Sequence, residues 1–432
     1  MEGSADSDQP NTEEEISYRM VLSNKDFTKI LIAQIGSNFG DALLRIALLL
    51  YIYDVTGSLT LTTLILSAQL APWIIVGPIS GVFADRISRK LILVSADITR
   101  MMAIIIFPFT TNTTVMVVLA FIVGTASASF AAPRSAAIPE ITGLKLYVKA
   151  ISLSQMIFQT MAILGPIAGA LIYARFETLT FFITSGSFSI SAIFILLTTI
   201  PSAQSRNEKL TMKSVFRDLG EGIKYLLTED IIRKIIVLFT IIIIGGVLVG
   251  TLIYPYIYNI LYLSNEDLQS QAQREFGYIG AISALGSALG YIIFGKYEKK
   301  IGRPKGVFWG SFLTGVYCVI FIFEPSVLQL LIISLFLGIA SGMMSLAVNA
   351  IFAETVPNEI RGRAYSATNA YLQVFSMISI SGSGWLADKI GIVDTMTYAG
   401  IGIMILVVIF TLATGFFKFL VPKSLPQEAV AS

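Results

Sequence analysis

Residues 235–258 read IIVLFTIIIIGGVLVGTLIYPYIY, 24 positions without one charged side chain. At about 1.5 Å per helical residue this run reaches about 36 Å, enough to cross a hydrocarbon core of ~30 Å. A helix of that length on a soluble protein would carry a polar face, and this one has none. Working outward, similar runs recur. They lie near 30–53, 59–83, 91–109, 113–132, 150–173 and 179–200 on the N-terminal side. After 235–258 they continue near 276–295, 307–323, 327–352, 364–386 and 396–420. The expected fold is an all-α membrane protein of twelve transmembrane helices. Composition agrees: 55% of the 432 residues are apolar and 13% are charged, with a mean hydropathy of +0.76. Soluble proteins carry roughly a quarter charged residues.

Lysine and arginine choose the orientation. Twenty-five of the 30 fall in segments on one side of the predicted membrane and three, Arg175, Arg274 and Lys389, on the other. Arg45 and Arg100 fall inside spans. The basic side is read as cytoplasmic and holds both termini, so the chain is expected to be a multi-pass protein of the cell membrane. The expected organisation is a disordered tail (1–26), a six-helix bundle (27–200), a cytoplasmic linker (201–234), a second six-helix bundle (235–420) and a short tail (421–432). Within the linker, Met212, Val215, Phe216, Leu219, Ile223 and Leu227 recur at helical spacing. An amphipathic helix along the inner membrane surface fits them, and so does a plain linker helix.

Several functions are excluded or disfavoured at once. The chain has no histidine, which removes His triads and His metal sites. Cys318 is the single cysteine, so no disulfide forms within the chain. A net charge of +2 gives no sign of a nucleic-acid partner. Residues 1–20 are polar and acidic, unlike a secretory leader. Gly290-Tyr-Ile-Ile-Phe-Gly295-Lys296 imitates a phosphate-binding loop, but it closes a membrane helix and Tyr297 stands at the Ser/Thr position.

The two sets of six spans are weak copies. After span 2 comes Gly81-Val-Phe-Ala-Asp85-Arg86-Ile-Ser88-Arg89-Lys90, and after span 8 Gly295-Lys-Tyr-Glu-Lys299-Lys300-Ile-Gly302-Arg303. Ile138-Pro139-Glu140 after span 4 pairs with Val356-Pro357-Asn358 after span 10. Parallel repeats of this kind suit a transporter that rocks about a central site.

These residues resemble a known family. Residues 81–90 are similar to the loop 2–3 signature of the major facilitator superfamily, with Ser88 in place of the usual glycine. Ser37-Asn-Phe-Gly40-Asp41, Ala96-Asp97-Ile-Thr-Arg100 and Phe130-Ala-Ala-Pro133-Arg134 narrow the likeness to the macrolide-efflux and enterobactin-exporter type. Gly165, Pro166 and Gly169 in span 5 resemble the superfamily's antiporter motif. Span 4 lacks the buried arginine found in some drug:proton antiporters. The resemblance implies that spans 1, 4, 7 and 10 line a cavity. It also implies that Gly81, Asp85, Arg86 and Arg89 latch the cytoplasmic side, with Glu140 as a possible acceptor for Arg89. Cavity candidates are then Gln34 and Asn38 in span 1, Thr125 and Ser129 in span 4, Thr251, Tyr254 and Tyr258 in span 7, and Ser341, Ser345 and Asn349 in span 10.

Span 1 carries the sharpest signal. Gln34, Asn38, Asp41 and Arg45 form one stripe, and Asp41 lies about 18 Å in from Lys29, near the membrane midplane. A carboxylate there must be paired or wet. An Asp41–Arg45 ion pair is the structural reading, and a proton-coupling role for Asp41 and Arg45 is the functional one. Asp97 and Arg100, three apart in span 3, read as a helix-packing pair. The expected function is proton-coupled export of lipophilic or amphipathic small molecules by a monomer in the lipid bilayer. It would be driven by the proton gradient with no bound cofactor and no enzyme activity. A carrier for one metabolite, siderophore or lysolipid is the alternative, and a non-transporting receptor or scaffold ranks last.

Overall fold

In the computed structural model, residues 18–200, 212–357 and 360–416 are described. They form twelve long helices: α1 (Lys25–Thr56), α2 (Leu59–Arg86), α3 (Arg89–Ile106), α4 (Thr113–Gly143), α5 (Lys149–Phe176) and α6 (Leu179–Leu196). Then follow α7 (Asp230–Tyr256), α8 (Gln269–Ile301), α9 (Arg303–Ile320), α10 (Val327–Thr355), α11 (Arg361–Ile390) and α12 (Ile392–Thr414). A separate helix, Met212–Thr228, joins the halves and packs on α11. Eleven of the twelve are long and apolar enough to cross a membrane by composition; α11 is not. Its serines, Asn369 and Gln373 are tolerable because α11 lies between α2 and α7 instead of standing alone in lipid.

Local chemistry sets the helix ends. The Asn24 side chain accepts from the amides of Asp26 and Phe27 to start α1, and Asn112 does the same for α4. Gly57 closes α1 in the left-handed region (φ 61), where glycine pays no Cβ penalty. The α4–α5 junction is a kink at Gly143 (φ 70) inside otherwise continuous helix. Several helices overrun the predicted spans, because a helix need not stop where the hydrocarbon does.

The internal repeat is visible in the packing. Gly124 on α4 abuts the backbone oxygen of Gln69 on α2, and Gly338 on α10 abuts that of Ser283 on α8. Both pairs are related by one step of 214 residues, from 124 to 338 and from 69 to 283. Gly286, Gly290 and Gly342 extend the α8–α10 seam; a Cβ at any of them would strike opposing backbone. Small residues of this kind let membrane helices approach backbone to backbone.

The halves meet through α2 with α11 and α5 with α8. Joining hydrogen bonds cluster at the end of the bundle away from the interhalf connector, here called the distal end. Ser381 donates to Ser67 (2.7 Å), and Thr60 donates to Asp388 (2.6 Å). Gly277 on α8 faces Ala170 on α5. Along α5, Ala170, Tyr173 and Ala174 are buried, whereas Gln155, Met156, Phe158 and Gln159 near the connector are exposed.

Candidate functional site

The N-terminal half encloses a charged cluster. Gly36 and Gly40 on α1 let α6 close in, since a Cβ at Gly40 would meet Ser187 and Phe188. That approach delivers Ser191, whose hydroxyl donates to Asp97 Oδ2 (2.7 Å), and Phe188, whose ring lies 4.3 Å from the Arg100 guanidinium. Phe130 on α4 covers the other side at 4.6 Å. Arg100 Nη2 pairs with Asp97, and Arg100 Nη1 reaches Asp41 Oδ2 at 3.1 Å and Oδ1 at 3.3 Å. Ser127 on α4 donates to Asp41 as well (3.2 Å). One cation therefore serves two carboxylates from two helices. The side chains of Arg100 and Asp97 are 0% exposed, while that of Asp41 is 33% exposed. Asp41 is the partly exposed member.

This differs from the expected Asp41–Arg45 pair. Arg45 is exposed and makes no ion pair among the described residues. Asp41 turns instead toward α3 and α4, where Arg100 Nη1 and the Ser127 hydroxyl donate to it; Arg45, one turn on, stays exposed. Nor does Arg100 belong to Asp97 alone. Arg134, beyond the predicted end of span 4, lies on α4 and donates to Asn38 Oδ1 (3.2 Å), so the connector end of α4 does carry a half-buried arginine.

The remaining candidates disperse. Gln34 is buried and donates to the Ser154 carbonyl on α5 (2.9 Å), a helix–helix contact. Thr125 and Ser129 bond to carbonyls of their own helix, on the face opposite Ser127. There they line a groove of about 460 Å³ with Ser80, Ser95 and Thr99 of α2 and α3. Thr251 also bonds within its helix. Tyr254 is buried at the distal end with Tyr258 stacked on it. On α10, Ser341 and Ser345 are half-buried and Asn349 is exposed. Gly165 and Gly169 seat α5 on α1: a Cβ at Gly165 would strike Ala42, and one at Gly169 would lie 3.1 Å from Ile46. Pro166 is half-buried beside them.

At the connector end Arg89 pairs with Glu140 and donates to the Ala136 carbonyl (3.3 Å). The second half repeats the arrangement: Arg303 pairs with Glu354 and Glu298. Arg89 to Arg303 and Glu140 to Glu354 are again steps of 214 residues. The partner of Glu140 in the repeat is therefore Glu354, four positions before Asn358, which lies outside the described residues. The side chains of Gly81, Asp85 and Arg86 also lie outside the description. Sequence reading passed over Asp54 and Asp388. Their signal was available: each is an acid in the last turn of its helix, where the macrodipole disfavours a negative charge.

Two related six-helix halves, joined by hydrogen bonds at the distal end, with a charged cluster enclosed in the first of them, have the architecture of a membrane transporter. The chain belongs to the Major Facilitator Superfamily, whose family model matches residues 30–272 and again 256–431. It is 24% identical over 381 residues to macrolide efflux protein A of Streptococcus pyogenes, covering 85% of this chain and 90% of that protein. It is 20% identical over 391 residues to the multidrug efflux pump Tap of Mycolicibacterium fortuitum, covering 88% and 93%. The nucleoside transporter NupG has the same fold, with a TM-score of 0.68 at 13% identity over 91% of this chain and 99% of that one.

Proposed function

We propose that the protein is a proton-coupled exporter of lipophilic or amphipathic small molecules in the cell membrane, working by alternating access, with its termini and connector in the cytoplasm. The observation that carries this reading is the unequal exposure of the charged cluster. Asp41 is partly exposed while its cation, Arg100, and the second acid, Asp97, are fully buried. A proton arriving at Asp41 Oδ2 releases Arg100 to Asp97, and its departure draws Arg100 back. Loading and unloading thus change how α1 is held against α3 and α4. The walls of α7 and α10 hold hydroxyls and two amides and no charge between residues 235 and 258 or 327 and 352, which suits weakly polar molecules better than polyanions. The names of macrolide efflux protein A and Tap point to the same substrate class.

The test is uptake into liposomes with an imposed pH gradient, using a macrolide and a lipophilic cationic dye. Wild type should accumulate at least one of them against its gradient. Asp41→Asn, which keeps shape and removes titration, should lose gradient-driven accumulation and keep substrate binding. Full accumulation by Asp41→Asn would end the coupling assignment.

A further inference from the structure

The two acids passed over in the sequence both lie at the distal end, one from each half, and each bonds across to the other half. Asp54, in the last turn of α1, accepts from Tyr254 Oη on α7 (2.8 Å), from Gln273 Nε2 on α8 (3.1 Å) and from Tyr173 Oη on α5 (3.1 Å). Two of those donors belong to the opposite half. Asp388, in the last turn of α11, accepts from the Thr60 amide (3.0 Å) and hydroxyl (2.6 Å) in the first turn of α2. The arrangement is reciprocal: each half contributes a carboxylate and receives the other's. Each acid sits at the wrong end of its own helix for the macrodipole. Asp388 finds the favourable end of α2 across the interface, and Asp54 finds three neutral donors. None of the donors is a cation. The Lys389 ammonium lies over the Trp385 ring instead. Next to this pair, Asn259 donates to Tyr53 Oη (2.5 Å), and the Tyr53 and Tyr254 rings meet edge to face across the halves.

We infer that Asp54 and Asp388 are positioning residues of transport, a two-carboxylate latch that holds the distal end shut while the cleft is open toward the connector. A latch must be strong enough to close and weak enough to release. Carboxylates bonded to neutral donors fit, because hydration can replace those partners when the halves separate, whereas a buried ion pair would strand two charges. The inference rests on the alternating-access part of the proposed function, and not on the coupling ion or substrate.

The test uses the full-length protein with Cys318 replaced by serine and nitroxides at cysteines substituted for Phe109 and Phe323. These are exposed residues at matching distal loops of the two halves. Pulsed electron–electron resonance then reads the separation of the halves at that end. Wild type should give a dominant short distance. Tyr254→Phe, and separately Asp388→Asn, should each raise the ratio of a discrete longer distance about ten-fold, the change expected on losing one hydrogen bond to a charged group. Asp54→Asn should raise it further. Tyr173→Phe removes a donor from Asp54 within the same half, so it should leave the ratio unchanged. The inference is overturned if Tyr254→Phe and Asp388→Asn leave the ratio at the wild-type value, or if Tyr173→Phe raises it equally. Loss of the latch with normal Asp41 behaviour, or the converse, separates this inference from the coupling assignment.

Discussion

Replacing Arg100 with glutamine should be among the most damaging single changes in the N-terminal half. The guanidinium is fully buried, bridges Asp97 and Asp41, and lies between Phe130 and Phe188. Without it Asp97 keeps only the Ser191 hydroxyl within hydrogen-bond reach. Stranding one partner of a buried ion pair costs about 3–5 kcal/mol. The two aromatic contacts add about 0.5–1 kcal/mol each, and new bonds from the glutamine amide return about 1 kcal/mol. The net loss is about 3–6 kcal/mol, which corresponds to a fall of about 6–24 °C in melting temperature at the 2–4 °C per kcal/mol of large domains. Helical circular dichroism of purified protein in detergent measures it. Two companions give the reasoning its teeth. Asp97→Asn placed in the Arg100→Gln background should recover more than half of the loss, because it removes the stranded charge. Arg100→Lys should rescue poorly, since one ammonium cannot serve both carboxylates with the reach of the planar fork. A melting temperature within about 1 °C of wild type for Arg100→Gln, or no recovery in the double variant, would refute the assignment of Arg100 as the shared cation.

Two further outcomes follow from packing and charge. Gly286→Ala should lower the melting temperature by an amount equivalent to about 1–3 kcal/mol, because its Cβ would meet the Leu335 carbonyl and Gly338 backbone. Gly280→Ala on the same helix meets nothing and should be neutral or stabilising by about 0.5–1 kcal/mol; equal behaviour of the two would discredit the α8–α10 seam. For orientation, cysteines at Gly57 and Gly220 in a Cys318-free background should react with impermeant maleimide from outside and inside respectively, and labelling of both from one side would reverse or break the proposed topology.

Apolar runs and the 25:3 distribution of basic residues already contained the twelve helices, the polar α11 least clearly, and their division into halves, because crossing a bilayer is a sum over consecutive residues and needs no knowledge of neighbours. The Arg89–Glu140 pair was legible for a related reason: the loop pattern placed both residues on the same side, leaving few partners. Asp41 stood out by depth alone, yet its partner did not. An acid four residues before an arginine on one helix suggests an ion pair. Only the packed bundle determines that Asp41 faces α3 and α4 while Arg45 stays exposed, and that decision rests on Gly36 and Gly40 admitting α6 and Gly165 and Gly169 admitting α5. The same limit hid Asp54 and Asp388. Residues 54, 254 and 273 are far apart in sequence, and no periodicity within one helix tells which way it turns toward another. Side-chain pairing between membrane helices is set by helix rotation and close approach, quantities that exist only once all twelve are assembled.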